Sequence, residues 1–205
     1  MENYAALMFT PRVAKLQETA GTRALYAQKY PARTRPGLGS DERAFLESRT
    51  SIYMASVSET GWPYVQHRGG PSGFLKVLDD QTLGFADYRG NRQFISNGNL
   101  AGDDRVSLFA MDYPQKARLK LQGHASMIPA SDDPALAKAL ATPGEGRVER
   151  LTTIRIVAFD WNCPQFITPR FTQDEVTALV TPHLAERDRK IADLTQKLAN
   201  LGATP

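Results

Sequence analysis

Polar and apolar positions change their period along the chain, and the changes mark its elements. Near the start the spacing is helical: Thr10 suits an N-cap, Pro11 the first turn, and Val13, Leu16 and Ala20 recur on one face. Between Thr19 and Ser40, the breakers Pro31, Pro36, Gly37 and Gly39 read as a loop. This loop carries Arg23, Lys29, Arg33 and Arg35 with no acid, and reads as a solvated connector before an anion site. Ser40-Asp41-Glu42 then opens a short helix with Phe45 and Leu46 facing inward.

From there the period is two. Strands are expected at 51–57, 64–68, 74–78, 82–86, 105–110, 117–127 and 154–159, with Asp79-Asp80 as a hairpin signal. Along 117–127, Leu119, Leu121 and Gly123 share one face, while Arg118, Lys120, Gln122 and His124 share the other. Short helices are expected at 91–99 and 132–141. Many short strands with few helices predict a mainly β protein with peripheral helices, built on a small antiparallel barrel or sandwich. The barrel is preferred because closure removes sheet edges. In the tail, Leu184, Ile191 and Leu198 are seven apart, with Leu194 and Leu201 in the alternate position and Arg187 interrupting them. This is an amphipathic helix whose stripe needs cover from the barrel or from a partner.

Composition narrows the function classes. The 205 residues are 41% apolar with 15 Gly, an ordinary globular make-up. Lys+Arg 25 against Asp+Glu 22 leaves +3, too weak a field to argue for nucleic acid. Cys163 is the only cysteine, and it precedes Pro164 as a small buried residue would. His67, His124 and His183 lie far apart, without zinc-ligand spacing. A lone thiol, no signal-peptide pattern and no long apolar run lead us to expect a cytoplasmic protein without a membrane partner.

Two stretches carry candidate chemistry. Asp87-Tyr88-Arg89-Gly90-Asn91-Arg92-Gln93 sets two arginines around a glycine where a strand gives way to a helix. Guanidinium groups and unpaired helix N–H groups there suit a phosphate, although a surface loop with two solvated arginines satisfies the spacing equally. Phe159-Asp160-Trp161-Asn162-Cys163-Pro164-Gln165-Phe166 is an aromatic and amide patch after a strand. Its rings suit a core, while Asn162 and Gln165 could meet a heteroaromatic edge.

The order of these pieces resembles the pyridoxamine 5'-phosphate oxidase family of FMN-binding split barrels. The resemblance rests on Trp62-Pro63-Tyr64-Val65-Gln66-His67-Arg68, Thr82 to Asp87 and Gly90-Asn91-Arg92-Gln93, then Arg105-Val106-Ser107-Leu108-Phe109 and Leu121-Gln122-Gly123-His124-Ala125. It implies a split antiparallel β-barrel over 49–171, with a helical N-terminal extension (1–48) and a helical C-terminal tail (172–205). It also implies FMN as cofactor, bound at the interface of a homodimer, with a small molecule or a nicotinamide nucleotide as the reaction partner.

Carried over by position, Arg92 takes the place of the phosphate-binding arginine, Gln93 falls where a lysine usually helps, and Arg89 could compensate. Asp87 and Asn91 flank that turn. Gln66, His67 and Arg68 lie on the strand beside the ring, Lys76 matches the strand lysine, and Arg118 falls where a Gln commonly reaches the ring system. Trp161, Asn162 and Gln165 stand where vitamin-converting members carry an Arg/His-rich motif, which implies an oxidoreductase reaction other than pyridoxal phosphate synthesis. The alternatives are a flavin-binding or partner-docking module without turnover and, less favoured, a haem or deazaflavin binder, with His67 or His124 as haem ligand.

Overall fold

Along Ser51–Val57 the side chains of Ile52, Met54 and Ser56 are buried, and those between them face outward, so period-two alternation makes this segment strand β1. In the computed structural model, which describes residues 1–31, 36–144, 146–161 and 164–202, six more strands follow. They are β2 (Pro63–Gly69), β3 (Lys76–Val77), β4 (Thr82–Tyr88), β5 (Arg105–Asp112), β6 (Ala117–Pro129) and β7 (Val148–Trp161). All pair antiparallel in one sheet of order β2-β1-β5-β6-β7-β4-β3.

The sheet wraps around one core. Ile52 and Met54 of β1, Leu83 and Phe85 of β4, Leu108 of β5, Leu121 of β6 and Ile154 of β7 belong to a single apolar cluster. The terminal strands β2 and β3 do not pair with each other, so the barrel is split, as expected. Side chains span the split: Arg68 on β2 reaches Asp87 on β4 at 3.2 Å.

The long β6–β7 pairing contains a bulge between Gln122 and Gly123. A Cβ at Gly123 would lie 2.6 Å from the carbonyl oxygen of Arg155, so only glycine fits that close approach.

Seven helices are described: α1 (Tyr4–Met8), α2 (Pro11–Thr19), α3 (Arg23–Lys29), α4 (Ser40–Glu47), α5 (Ile95–Gly102), α6 (Pro134–Leu140) and α7 (Gln173–Asn200). As expected, α4 buries Leu46, and its Glu42 accepts from the Gly39 N–H at 3.0 Å. Its Glu47 accepts from the Val77 N–H at 3.1 Å, which ties α4 to β3. Helix α5 is tied to β1 by Asn99, which donates to Ser56 Oγ at 2.9 Å.

Several elements differ from expectation. Residues 23–29 form α3 instead of loop, because Ala24, Leu25 and Ala27 are strong helix formers ahead of the first breaker, Pro31. Arg33 and Arg35 lie outside the described residues. On α2, Leu16 is exposed and Gln17 is buried, so the inward face is rotated from the one read off the apolar spacing. The 74–78 strand shrinks to Lys76–Val77. The helix expected over 91–99 begins only at Ile95, because Arg92 and Phe94 hold φ of 58° and 54°, incompatible with a helix interior. The last strand starts six residues earlier than expected, at Val148.

The chain divides into two compact units, Met1–Asp112 with Ala117–Gln165, and Tyr113–Lys116 with Phe166–Pro205. In the second, the Arg170 guanidinium lies over the Tyr113 ring at 5.0 Å. Helix α7 is capped by a reciprocal Thr172–Glu175 pair and buries no residue, so the stripe of Leu184, Ile191, Leu194 and Leu198 is exposed. Among the described residues no helix is long and apolar enough to cross a membrane.

Candidate functional site

The site forms where the split meets the loop between β4 and α5. On β2, alternation sends Tyr64, Gln66 and Arg68 to the face that also carries Ser56, Met54 and Ile52 opposite them, and sends Val65 and His67 to the other. Arg68 is thus drawn inside, 13% exposed, and must be neutralised there. Asp87 does this. Its Oδ1 meets Arg68 at 3.2 Å, and its Oδ2 accepts from Arg150 Nε at 3.0 Å and from an Arg150 terminal nitrogen at 2.8 Å. Burial lowers the Arg68 pKa, and the Asp87 carboxylate opposes that shift. Arg68 Nε remains buried without a hydrogen-bond partner among the described residues.

Beside this triad, Gln66 Oε1 accepts from Ser96 Oγ at 2.6 Å, which joins β2 to the first turn of α5. Asn91 Oδ1 accepts from the Gln93 N–H at 3.2 Å and shapes the loop. Left-handed Phe94 precedes α5, and no side chain caps the helix. Gln66, Arg68, Asp87, Asn91, Arg92 and Gln93 all line one cleft of about 80 Å³. That volume is well below the ~300–1,000 Å³ of a whole small-molecule site.

A second cleft, of about 950 Å³, lies next to it and shares Arg92, Phe94 and Arg150. Arg89 lines this larger cleft and not the smaller, so the two arginines around Gly90 are not equivalent. Arg92 donates to Glu149 Oε1 at 2.6 Å, and this bond holds the Glu149 carboxyl below its ordinary pKa.

The other expected site residues are dispersed. His67 lies on the opposite face of β2, its ring edge-on to Tyr53 at 5.7 Å, because one residue along a strand reverses the side chain. Lys76 Nζ donates to the carbonyls of Ala139 and Ala141 at 2.8 and 3.2 Å, closing the end of α6, and lines neither cleft. Arg118 lies opposite Met111 across the β5–β6 pair, with Nε buried and without a hydrogen-bond partner among the described residues.

Trp161 donates from Nε1 to Glu42 Oε1 at 2.7 Å and packs edge-on to Phe45, so it is a brace for α4. Gln165 is exposed, and Asn162 and Cys163 lie outside the described residues. The other haem candidate, His124, pairs through Nδ1 with Asp104 at 2.8 Å, and no histidine lines either cleft.

Sequence reasoning missed Arg150, Ser96, Tyr64 and Phe94. The alternation of Val148, Arg150 and Thr152 ahead of Ile154 was the available signal for Arg150.

A family model described as pyridoxamine 5'-phosphate oxidase matches residues 40–158. No curated protein matches the chain. Among solved structures, HupZ of Group A Streptococcus is 15% identical, with a TM-score of 0.48 over 65% of this chain and 100% of its own. A structure titled F420 reductase is 20% identical, with a TM-score of 0.42 over 58% of this chain and 94% of its own. HutZ, titled the haem storage protein of Vibrio cholerae, is 14% identical, with a TM-score of 0.39 over 60% and 94%.

Proposed function

Because the chain belongs to the pyridoxamine 5'-phosphate oxidase family, we propose that it is a homodimeric FMN-binding oxidoreductase acting on a small molecule, with the smaller cleft as its half of the flavin site. The observation that carries this reading is the convergence at the split. Gln66, Arg68, Asn91, Arg92 and Gln93, from one strand and one loop, line a single cleft, and it holds a buried guanidinium N–H that lacks a partner. Those donors fit a group with a phosphate at one end and a polar ring edge at the other.

Arg92 would hold the phosphate, charge to charge, beside the uncapped start of α5. Gln66 and Arg68 would face the ring edge, with Asp87 and Arg150 fixing the Arg68 guanidinium in place. A fixed cation there stabilises negative charge that develops on a bound ring. FMN supplies the electron-transfer chemistry when bound. The chain's own part is to orient it and to set its electrostatic surroundings.

The homodimer is supported by the small volume of the cleft and by the outer face of β1 and β2. Tyr53, Val57 and Val65, with Trp62 at the turn, form an exposed apolar patch on that face. Replacement of the Arg/His-rich motif by Trp161-Asn162-Cys163-Pro164-Gln165 argues for a reaction other than pyridoxal phosphate formation.

Absorption of the freshly purified protein, followed by steady-state consumption of NADH or NADPH, tests the reading. A flavin spectrum and turnover are expected. A sample that stays colourless after addition of FMN and desalting contradicts it.

A further inference from the structure

The larger cleft has its own chemistry. Two of its four arginines are already matched: Arg150 by Asp87, and Arg92 by Glu149. Arg89 and Arg147 are exposed and make no ion pair among the described residues. Among the described residues Glu149 is the one carboxylate in the lining, and Arg92, Arg150 and Arg89 all act on it, so the described lining holds a surplus of positive charge. The lining also has an apolar part, with Pro134 and Ala137 of α6, Ala130 and Val148. Phe94 lines the same cleft, 49% exposed, with the Arg150 guanidinium 5.1 Å from its ring centre.

These features select the ligand. A volume of about 950 Å³ is far larger than an inorganic anion requires and lies in the range of a nucleotide site. Two exposed guanidinium groups without an ion pair among the described residues suit adjacent phosphates, which they can grip with paired hydrogen bonds. An aromatic ring beside an apolar wall suits a flat heterocycle.

We propose that this cleft binds a purine nucleoside diphosphate unit, with the phosphates between Arg89 and Arg147 and the base on Phe94 against α6. The unit could arrive as free ADP or as the ADP half of a nicotinamide dinucleotide. Its binding does not depend on the flavin reading, and either can fail while the other stands.

The test is calorimetric titration of the full chain with ADP at low salt, with and without saturating FMN. One ADP per chain is expected, with affinity that falls as salt rises. Arg147→Glu weakens it by about tenfold or more, and Arg147→Lys retains part of it. Arg147 lines the larger cleft and not the smaller, so FMN affinity stays unchanged in Arg147→Lys, which keeps the charge.

Competition by NADH or NADPH assigns the unit to the dinucleotide, and lack of competition assigns it to the free nucleotide. The proposal is overturned if ADP does not bind at millimolar concentration, or if Arg147→Glu leaves binding unchanged. Mutual displacement of ADP and FMN also overturns it, since the cleft would then belong to the flavin.

Discussion

Arg92, the arginine common to both clefts, donates to Glu149 Oε1 at 2.6 Å. Glu149 therefore competes with any phosphate for that guanidinium. Glu149→Gln removes the competing charge and is expected to tighten FMN binding a few-fold in an equilibrium titration. The hydrogen bond from Arg92 lowers the Glu149 pKa, so the pair is complete above the ordinary carboxylate range and is lost as pH falls through the lowered value. The advantage of the Gln variant should accordingly be constant near neutrality and shrink in acid.

Asp87 stands between two guanidinium groups, with side-chain exposures of 13% for Arg68, 14% for Asp87 and 19% for Arg150. Removing it leaves two cations facing each other in a nearly closed site. Asp87→Ala is expected to cost about 3 kcal/mol in urea unfolding. A cost below about 1 kcal/mol would show that water reaches the triad and screens it.

The sequence discloses elements held by local chemistry and obscures contacts made between distant ones. The Glu42 contact at the start of α4, the Thr10 cap of α2 and the alternation of β1 and β6 all lie within a few residues and were readable. Arg150 is 63 residues from Asp87, and no local pattern marks it as the third member of the triad. Likewise, Gln66 and Arg68 were identified together with His67, yet the pleat sends His67 to the far side. The short β3 was over-read because Phe74 and Leu75 are buried in the core cluster without belonging to a strand.

Gly123 lies at the bulge of the β6–β7 pairing. A methyl group there would lie 2.6 Å from a backbone oxygen, which cannot rotate away. Gly123→Ala should therefore destabilise the fold by about 1–3 kcal/mol. Thermal or urea unfolding reads this directly, and an unchanged midpoint would mean that the bulge absorbs the extra carbon.

Val65 lies at the exposed apolar face of β2 and is 60% exposed. If that face joins two chains, Val65→Asp places a charge in the interface. Light scattering should then fall from about twice 22.7 kDa to the mass of one chain, with the far-ultraviolet dichroism unchanged. A wild-type protein that is already monomeric would remove the shared-site arrangement.

In the proposed flavin site Arg92, at the split of the barrel, holds the phosphate of FMN. Quenching of flavin fluorescence, titrated on wild type and on Arg92→Ala, reads this contact. The dissociation constant is expected to be about tenfold to a hundredfold higher in the variant, the loss of one charge-assisted contact, with riboflavin binding equally to both proteins. Equal FMN constants for the two proteins would contradict it.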